Sequence, residues 1–334
     1  MTGTNLGYLH QEDPLYGYLQ HHIVPQLGFS VPDAAWKVFR FHVSRDVFLY
    51  EEKNRGIRLV GKFFKASSRD KARRTGATEF NNLLFLRSLG FSVPPHYVVR
   101  PFGFNPDIDN LLVVEYLAGE TLSRVITSAM VNGRKQRLFR KLSGLGHFFA
   151  TLHNRTAGDS LVDFDEACRC MERFVRFLME RWGLSDDDAQ AFQYLRERWR
   201  GRSCMWEDRA VLVHGDATPS NILFSRGRDV MAIDLERMKW ADRVFDLGQL
   251  CGELKHFFFR HTRDPWAAEP YIGHFLWEYC CHFPDRDAAF RAITRRLPFY
   301  MAVTLLRIAR NSWIDYDYRR QLIDEAEQIL RKDI

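Results

Sequence analysis

Residues 211–224 read Val-Leu-Val-His-Gly-Asp-Ala-Thr-Pro-Ser-Asn-Ile-Leu-Phe, and residues 230–236 read Val-Met-Ala-Ile-Asp-Leu-Glu. Apolar triplets close both ends of a polar loop, so Asp216 and Asn221 are presented from anchored backbone. Gly215 and Pro219 restrict and shape that loop. Asp234 ends a second apolar run and brings another carboxylate close if the two runs pair as a hairpin. Phosphoryl transfer asks for these groups: a carboxylate to receive or orient the attacking hydroxyl, and oxygen ligands to hold Mg²⁺ against phosphates. Asp216 suits the first role, and Asn221 and Asp234 suit the second. Each residue alone is equally an ordinary turn residue; the joint spacing is what points to chemistry.

Upstream of this stretch the texture is mostly β. A short helix is expected over Asp13–Gly28, with Leu15, Leu19, Ile23 and Leu27 on one face. Strands are expected at 36–41, 46–51 and 57–64, with a turn at Lys53–Gly56. A helix at 71–89 stops at Gly90, and strands follow at 97–101 and 111–117. These elements predict a five-stranded antiparallel sheet with one helix. From Thr121 the pattern is helical: 135–154, 164–182, 186–199, 247–259, 266–282, 286–311 with a kink or break at Pro298, and 319–332. A β island at 210–224 and 230–235 interrupts it. The expected class is α+β, with a strand-rich lobe over 1–116 and a helical lobe over 117–334.

The HGDxxxxN loop followed by IDxE resembles the catalytic and metal-binding signature of aminoglycoside and choline-kinase-like phosphotransferases, relatives of the protein kinases. That resemblance implies a protein-kinase-like two-lobe fold, ATP (or GTP) and Mg²⁺ as cofactors, and a small-molecule hydroxyl as acceptor. It gives Asp216 the catalytic-base position, Asn221 and Asp234 the metal positions, and Glu236 an assisting acidic place. His214 takes a structural position under the loop. Asp246, in Phe-Asp-Leu-Gly, would hold the catalytic loop or cap the following helix. Lys62 takes the place of the lysine that grips the α- and β-phosphates, with Glu79 as its ion-pair partner. Lys65 competes, but its odd offset aims it at the opposite strand face. Residues 113–117 resemble the hinge, where the backbone of Glu115 and Leu117 would read the adenine edge. Leu145–His153 resembles the family's core helix ending in Leu-His. One departure stands out: the phosphate-covering turn falls at His42–Arg45 and contains no glycine, which leaves Ser44, Arg45 and backbone amides to meet the phosphates.

Gly56 to Lys62 also fits the P-loop spacing GxxxxGK, yet Phe63 replaces the Ser or Thr that would touch Mg²⁺, and 57–60 reads as strand. The net charge of +6 arises from mixed clusters such as Arg69-Asp70-Lys71, without a nucleic-acid motif, and weighs against a polycationic substrate. No apolar run is long enough for a membrane helix, and the start carries polar Gln11, Glu12 and Asp13 where a signal peptide needs apolar residues. The six cysteines form no CxxC pair, so free thiols in a cytoplasmic protein are expected rather than zinc. Only 11 residues separate Asp234 from Asp246, too few for a protein-kinase activation segment. A protein kinase and a non-catalytic nucleotide-binding scaffold stay as alternatives to the small-molecule kinase. For the acceptor, Trp313, Asp315 and Asp317 form an aromatic–acidic cluster suited to an amine, or equally an ordinary helix start.

Overall fold

Two compact units divide the chain in the computed structural model, which describes residues 3–28, 31, 33–41, 46–225 and 227–332. The first comprises residues 1–119 with 231–236; the second comprises 120–230 with 237–334.

The first unit begins with strand β1 (Gly3–Tyr8), then helix α1 (Pro14–Tyr18), whose turns continue through 19–27 in π and 3₁₀ form. Strands β2 (Trp36–Phe41), β3 (Val47–Glu52) and β4 (Arg58–Phe63) follow, then helix α2 (Arg69–Ser88). The short strands β5 (Ser92–Val93) and β6 (His96–Val98) precede β7 (Pro101–Asn105) and β8 (Leu111–Glu115). The main sheet has the order β1-β2-β3-β4-β8-β7, with every pair antiparallel.

Register explains its two faces. Val38 lies opposite Tyr50, and Tyr50 opposite Leu59, so these three buried side chains share one face. They pack with Leu15, Leu19 and Ile23 from the α1 segment. Lys62 stands three residues beyond Leu59, and the pleat turns it to the other face. There it meets α2, which Ser68 caps by accepting from Lys71 N at 3.2 Å. At its other end, Gly90 takes φ +92, and Phe91 N donates to Leu86 O at 3.2 Å. The P-loop spacing at 56–62 is therefore a turn and a strand.

Two expectations for this sheet need correction. It has six strands, because β1 adds an edge; its sequence GTNLGY lacks alternating apolar residues, and backbone pairing to β2 defines it. The strand next to β8 is 101–105 instead of 97–101, since residues 96–98 pair with β5 in a separate hairpin. Residues 231–236, which sequence order places with the second lobe, count with the first. Asn82 Nδ2 donates to Leu235 O at 2.8 Å, and Val99 N donates to Ala232 O at 3.2 Å.

The second unit starts with β9 (Glu120–Thr121) and helices α3 (Leu122–Val131), α4 (Lys135–Arg155), α5 (Phe164–Trp182) and α6 (Asp186–Arg200). Then come β10 (Val211–Val213), β11 (Ile222–Phe224), β12 (Val230–Ala232, whose last two residues belong to the first unit) and β13 (Lys239–Ala241). It closes with α7 (Val244–Thr262), α8 (Glu269–Cys280), α9 (Arg286–Thr294), α10 (Leu297–Ala309) and α11 (Tyr316–Lys332). The break expected near Pro298 separates α9 from α10, with the proline in the first turn of α10, where its missing N–H costs no helical bond. Helix α10 is buried along most of its length between α7 and α11. Among the described residues, no helix is long and apolar enough to cross a membrane.

Candidate active site

Strand β10 is wholly buried, and the chain leaving it is fixed by one carboxylate. Asp246, fully buried in the first turn of α7, accepts from His214 N at 2.7 Å and from Gly215 N at 3.0 Å. His153 Nε2 lies 3.3 Å from the same carboxylate, while its Nδ1 sits 3.0 Å from the Tyr279 hydroxyl. Burial lowers the His153 pKa against the opposing pull of Asp246. The neutral ring therefore donates from Nε2 to Asp246 and accepts from Tyr279. The turn itself requires glycine: Gly215 has φ +79, and a Cβ there would come within 2.0 Å of Arg237 O. His214 Nδ1 accepts from Asp216 N at 3.3 Å, which leaves the proton on Nε2, a buried atom without a partner among the described residues.

The loop then presents Asp216. Gln249 Nε2, from α7, donates to Asp216 Oδ1 at 3.2 Å, and Gln249 Oε1 accepts from Ala217 N at 3.0 Å. Asn221 Nδ2 donates to Asp216 O at 3.0 Å, closing the loop on itself. Arg237 and Arg307 approach the carboxylate at 3.8 and 3.9 Å. Asp216 borders a cavity of about 370 Å³ within the second unit, walled in part by Phe174, Phe245 and Tyr300.

The first unit holds a second constellation. Lys62 Nζ donates to Glu79 at 2.7 Å, to Glu236 at 3.0 Å and to Asp234. Burial alone would depress the lysine, but the three carboxylates outweigh it and raise its pKa. Burial pushes Glu79 up to about 7, with Lys62 opposing. Asp234 sits at φ +68, in the left-handed region that aspartate enters more readily than most side chains. One oxygen from each of Glu79, Asp234 and Glu236 falls within 4.8 Å of the others. Three carboxylates face one ammonium, and this surplus of negative charge with oxygen donors suits a hard divalent cation. Lys65 points elsewhere, to Asp46, and is largely exposed.

A model of the phosphotransferase enzyme family (APH) matches residues 36–287. The chain belongs to this family. Among solved structures, it is similar to the streptomycin–ATP–APH(2'')-IIa ternary complex, with 14% identity, 97% of each chain covered and a TM-score of 0.57. An ethanolamine kinase from Plasmodium vivax aligns at 14% identity and TM-score 0.60, over 97% of this chain and 91% of that one. A choline kinase from Cryptosporidium parvum Iowa II aligns at 11% identity and TM-score 0.62, over 94% of both. At such identities the likeness is one of fold, the protein-kinase-like α+β arrangement of an antiparallel sheet unit and a larger helical unit. No curated protein matches the chain in sequence.

This phosphotransferase is thus an enzyme of the small-molecule kinase type, and its remaining expected site residues can be placed. Glu115 ends β8, where its carboxylate accepts from the Tyr97 hydroxyl at 2.5 Å and from Arg100 N. Leu117 lies in the irregular segment after it. Ser44 and Arg45 fall outside the described residues. Trp313, Asp315 and Asp317 do not line the Asp216 cavity. Asp315 accepts from Tyr318 N at 2.9 Å as a helix cap, Asp317 lies in the first turn of α11, and Arg260 stacks over Trp313 at 5.2 Å. Gln249 and Arg307 were missed from sequence. Gln249 follows Asp246 by three residues on α7, and that spacing was the available signal.

Proposed function

We propose that this phosphotransferase moves the γ-phosphoryl group of ATP (or GTP), with Mg²⁺, onto a hydroxyl of a small molecule. The observation that carries the reading is Asp216, held by Gln249 and its own loop at the edge of a metabolite-sized cavity. In that position Asp216 accepts or orients the proton of the acceptor hydroxyl. Lys62 would give up Asp234 and Glu236 for nucleotide phosphates while Glu79 keeps it in place. Asp234 and Glu236 would hold Mg²⁺, which would neutralise charge on the phosphate oxygens. Backbone groups at Glu115 and Leu117 would read the base. In this scheme residues 1–116 serve the nucleotide, and 117–334 carry the catalytic loop and acceptor site. The family resemblance admits aminoglycoside, choline-like and sugar-like acceptors.

The test is ADP release by the purified full chain with ATP and Mg²⁺, alone and with a panel of alcohols. Slow release accelerated by one acceptor class is expected. A chain that binds ATP yet never releases ADP would instead be a nucleotide-binding scaffold.

A further inference from the structure

The cavity beside Asp216 has an unusual charge. Arg173 on α5, Arg237 and Lys239 around β13, and Arg307 and Arg310 at the end of α10 all line it, and Asp216 is the one carboxylate among its lining residues. Two of these cations are compensated from behind: Arg307 Nη2 donates to Glu253, and Lys239 Nζ donates to Glu166 at 2.5 Å. Leaving Arg237 out, the other four cations still face three anions, Asp216, Glu253 and Glu166. Arg307 Nε is buried without a hydrogen-bond partner among the described residues.

From these observations we propose that the acceptor is an anionic alcohol, a hydroxyl compound bearing a carboxylate or a phosphate. The proposal rests on the phosphotransferase reading and narrows its acceptor. Like charges gathered at a half-buried wall repel one another, and a bound anion relieves that repulsion, whereas an ammonium adds to it. Arg310 already registers the repulsion: burial lowers its pKa, and Arg307, Arg237 and Arg173 push in the same direction. Its guanidinium lies 4.3 Å from the Phe174 ring centroid, so an aromatic face orients it as a planar donor. Arginine forks recognise carboxylate and phosphate oxygens through paired N–H groups. Phe174, Phe245 and Val303 supply apolar wall for a carbon skeleton, and Asp216 faces the same space to meet the hydroxyl. Of the aromatic–acidic cluster that would suit an amine, Asp315 caps α11 and Trp313 carries Arg260, and none of it lines this cavity.

The test measures binding without turnover. The full chain is titrated calorimetrically with gluconate, glucose 6-phosphate, glucose and glucosamine at fixed ionic strength, with and without ADP and Mg²⁺. At least one anionic sugar is expected to bind ten-fold or more tightly than glucose, with glucosamine weakest. Arg173→Gln and Arg310→Gln should each reduce that affinity ten-fold or more in the presence of ADP and Mg²⁺. Arg173 is exposed, so its variant carries the test even if Arg310→Gln fails to fold. Preference for glucosamine, absence of binding by both anions, or anion binding indifferent to both arginines would each overturn the proposal. None of these outcomes bears on whether ATP is turned over, so failure here and failure of the phosphoryl-transfer reading are told apart.

Discussion

Gln249 holds Asp216 from the side, donating to Oδ1 at 3.2 Å while its own carbonyl oxygen takes the N–H of Ala217 at 3.0 Å. One amide thus sets both the carboxylate and the backbone beside it. Gln249→Leu should leave nucleotide affinity within about two-fold and lower turnover at least ~10-fold, because small misplacements of a reacting group cost rate steeply. Steady-state kinetics with calorimetry on the same variant would check it. Equal loss in both quantities would assign Gln249 to folding alone.

Asp216 and Asp234 should separate in their effects. Asp216→Asn is expected to keep ATP·Mg²⁺ affinity within a few-fold while turnover drops by ~10²-fold or more, the scale of a positioned acid–base group. Asp234→Ala should also remove the Mg²⁺-dependent part of nucleotide binding. Full turnover by Asp216→Asn would transfer the base role to another residue.

Lys62 and Lys65 make a matched pair on one stretch of chain. Lys62 is ringed by Glu79, Asp234 and Glu236, whereas Lys65 is largely exposed beside Asp46. Lys62→Ala should diminish the thermal shift produced by ATP, and Lys65→Ala should leave it unchanged. The reverse pattern would reassign the phosphate lysine.

The turn at Gly215 should resist any side chain. Alanine there needs φ +79 and places a methyl 2.0 Å from Arg237 O, so the loop must move. Asp246→Ala strips two backbone N–H groups of their acceptor, a loss of about 1–3 kcal/mol for each that stays buried. Urea denaturation should show both variants less stable than the parent, with activity lost in Gly215→Ala even under conditions where it is folded.

His256 gives the chain an acid-side sensitivity. Burial, reinforced by Arg260 and Arg307, takes its pKa down from 6.5 to about 4. Below 6.5 the unfolded chain binds a proton that the folded chain refuses until about 4, so stability falls as pH falls through that window. The full effect is of order 3 kcal/mol. His256→Gln should flatten this part of the stability–pH curve, read as the difference between the two proteins in urea midpoints. Parallel curves would mean that His256 titrates normally.

Much of this was legible in the sequence because the local signals agreed. Buried triplets flank the HGD loop, Phe164–Trp182 carries a full amphipathic stripe, and Gly90 ends its helix as a C-cap should. The pairing of Lys62 with Glu79 followed from the family resemblance, and strand parity set Lys65 aside. What was hidden depends on distant partners. Strand β1 exists through its neighbour's backbone, and the wall of arginines gathers residues from α5, β13 and α10. Glu79 joins Asp234 and Glu236 across more than a hundred residues of chain. Trp313, Asp315 and Asp317 show the opposite case: helix-capping chemistry and amine-binding chemistry use the same residue types, so the sequence admits both readings equally.

The first unit is discontinuous, since residues 231–236 belong with 1–119. A gene fragment ending at Gly119 would encode Lys62 and Glu79 but omit two of the three carboxylates around that lysine. Neither unit can therefore be transplanted between enzymes as one uninterrupted cassette. Recombination that exchanged the sheet unit alone would strand Asp234 and Glu236 in the recipient, so inheritance of this site is tied to inheritance of the whole reading frame.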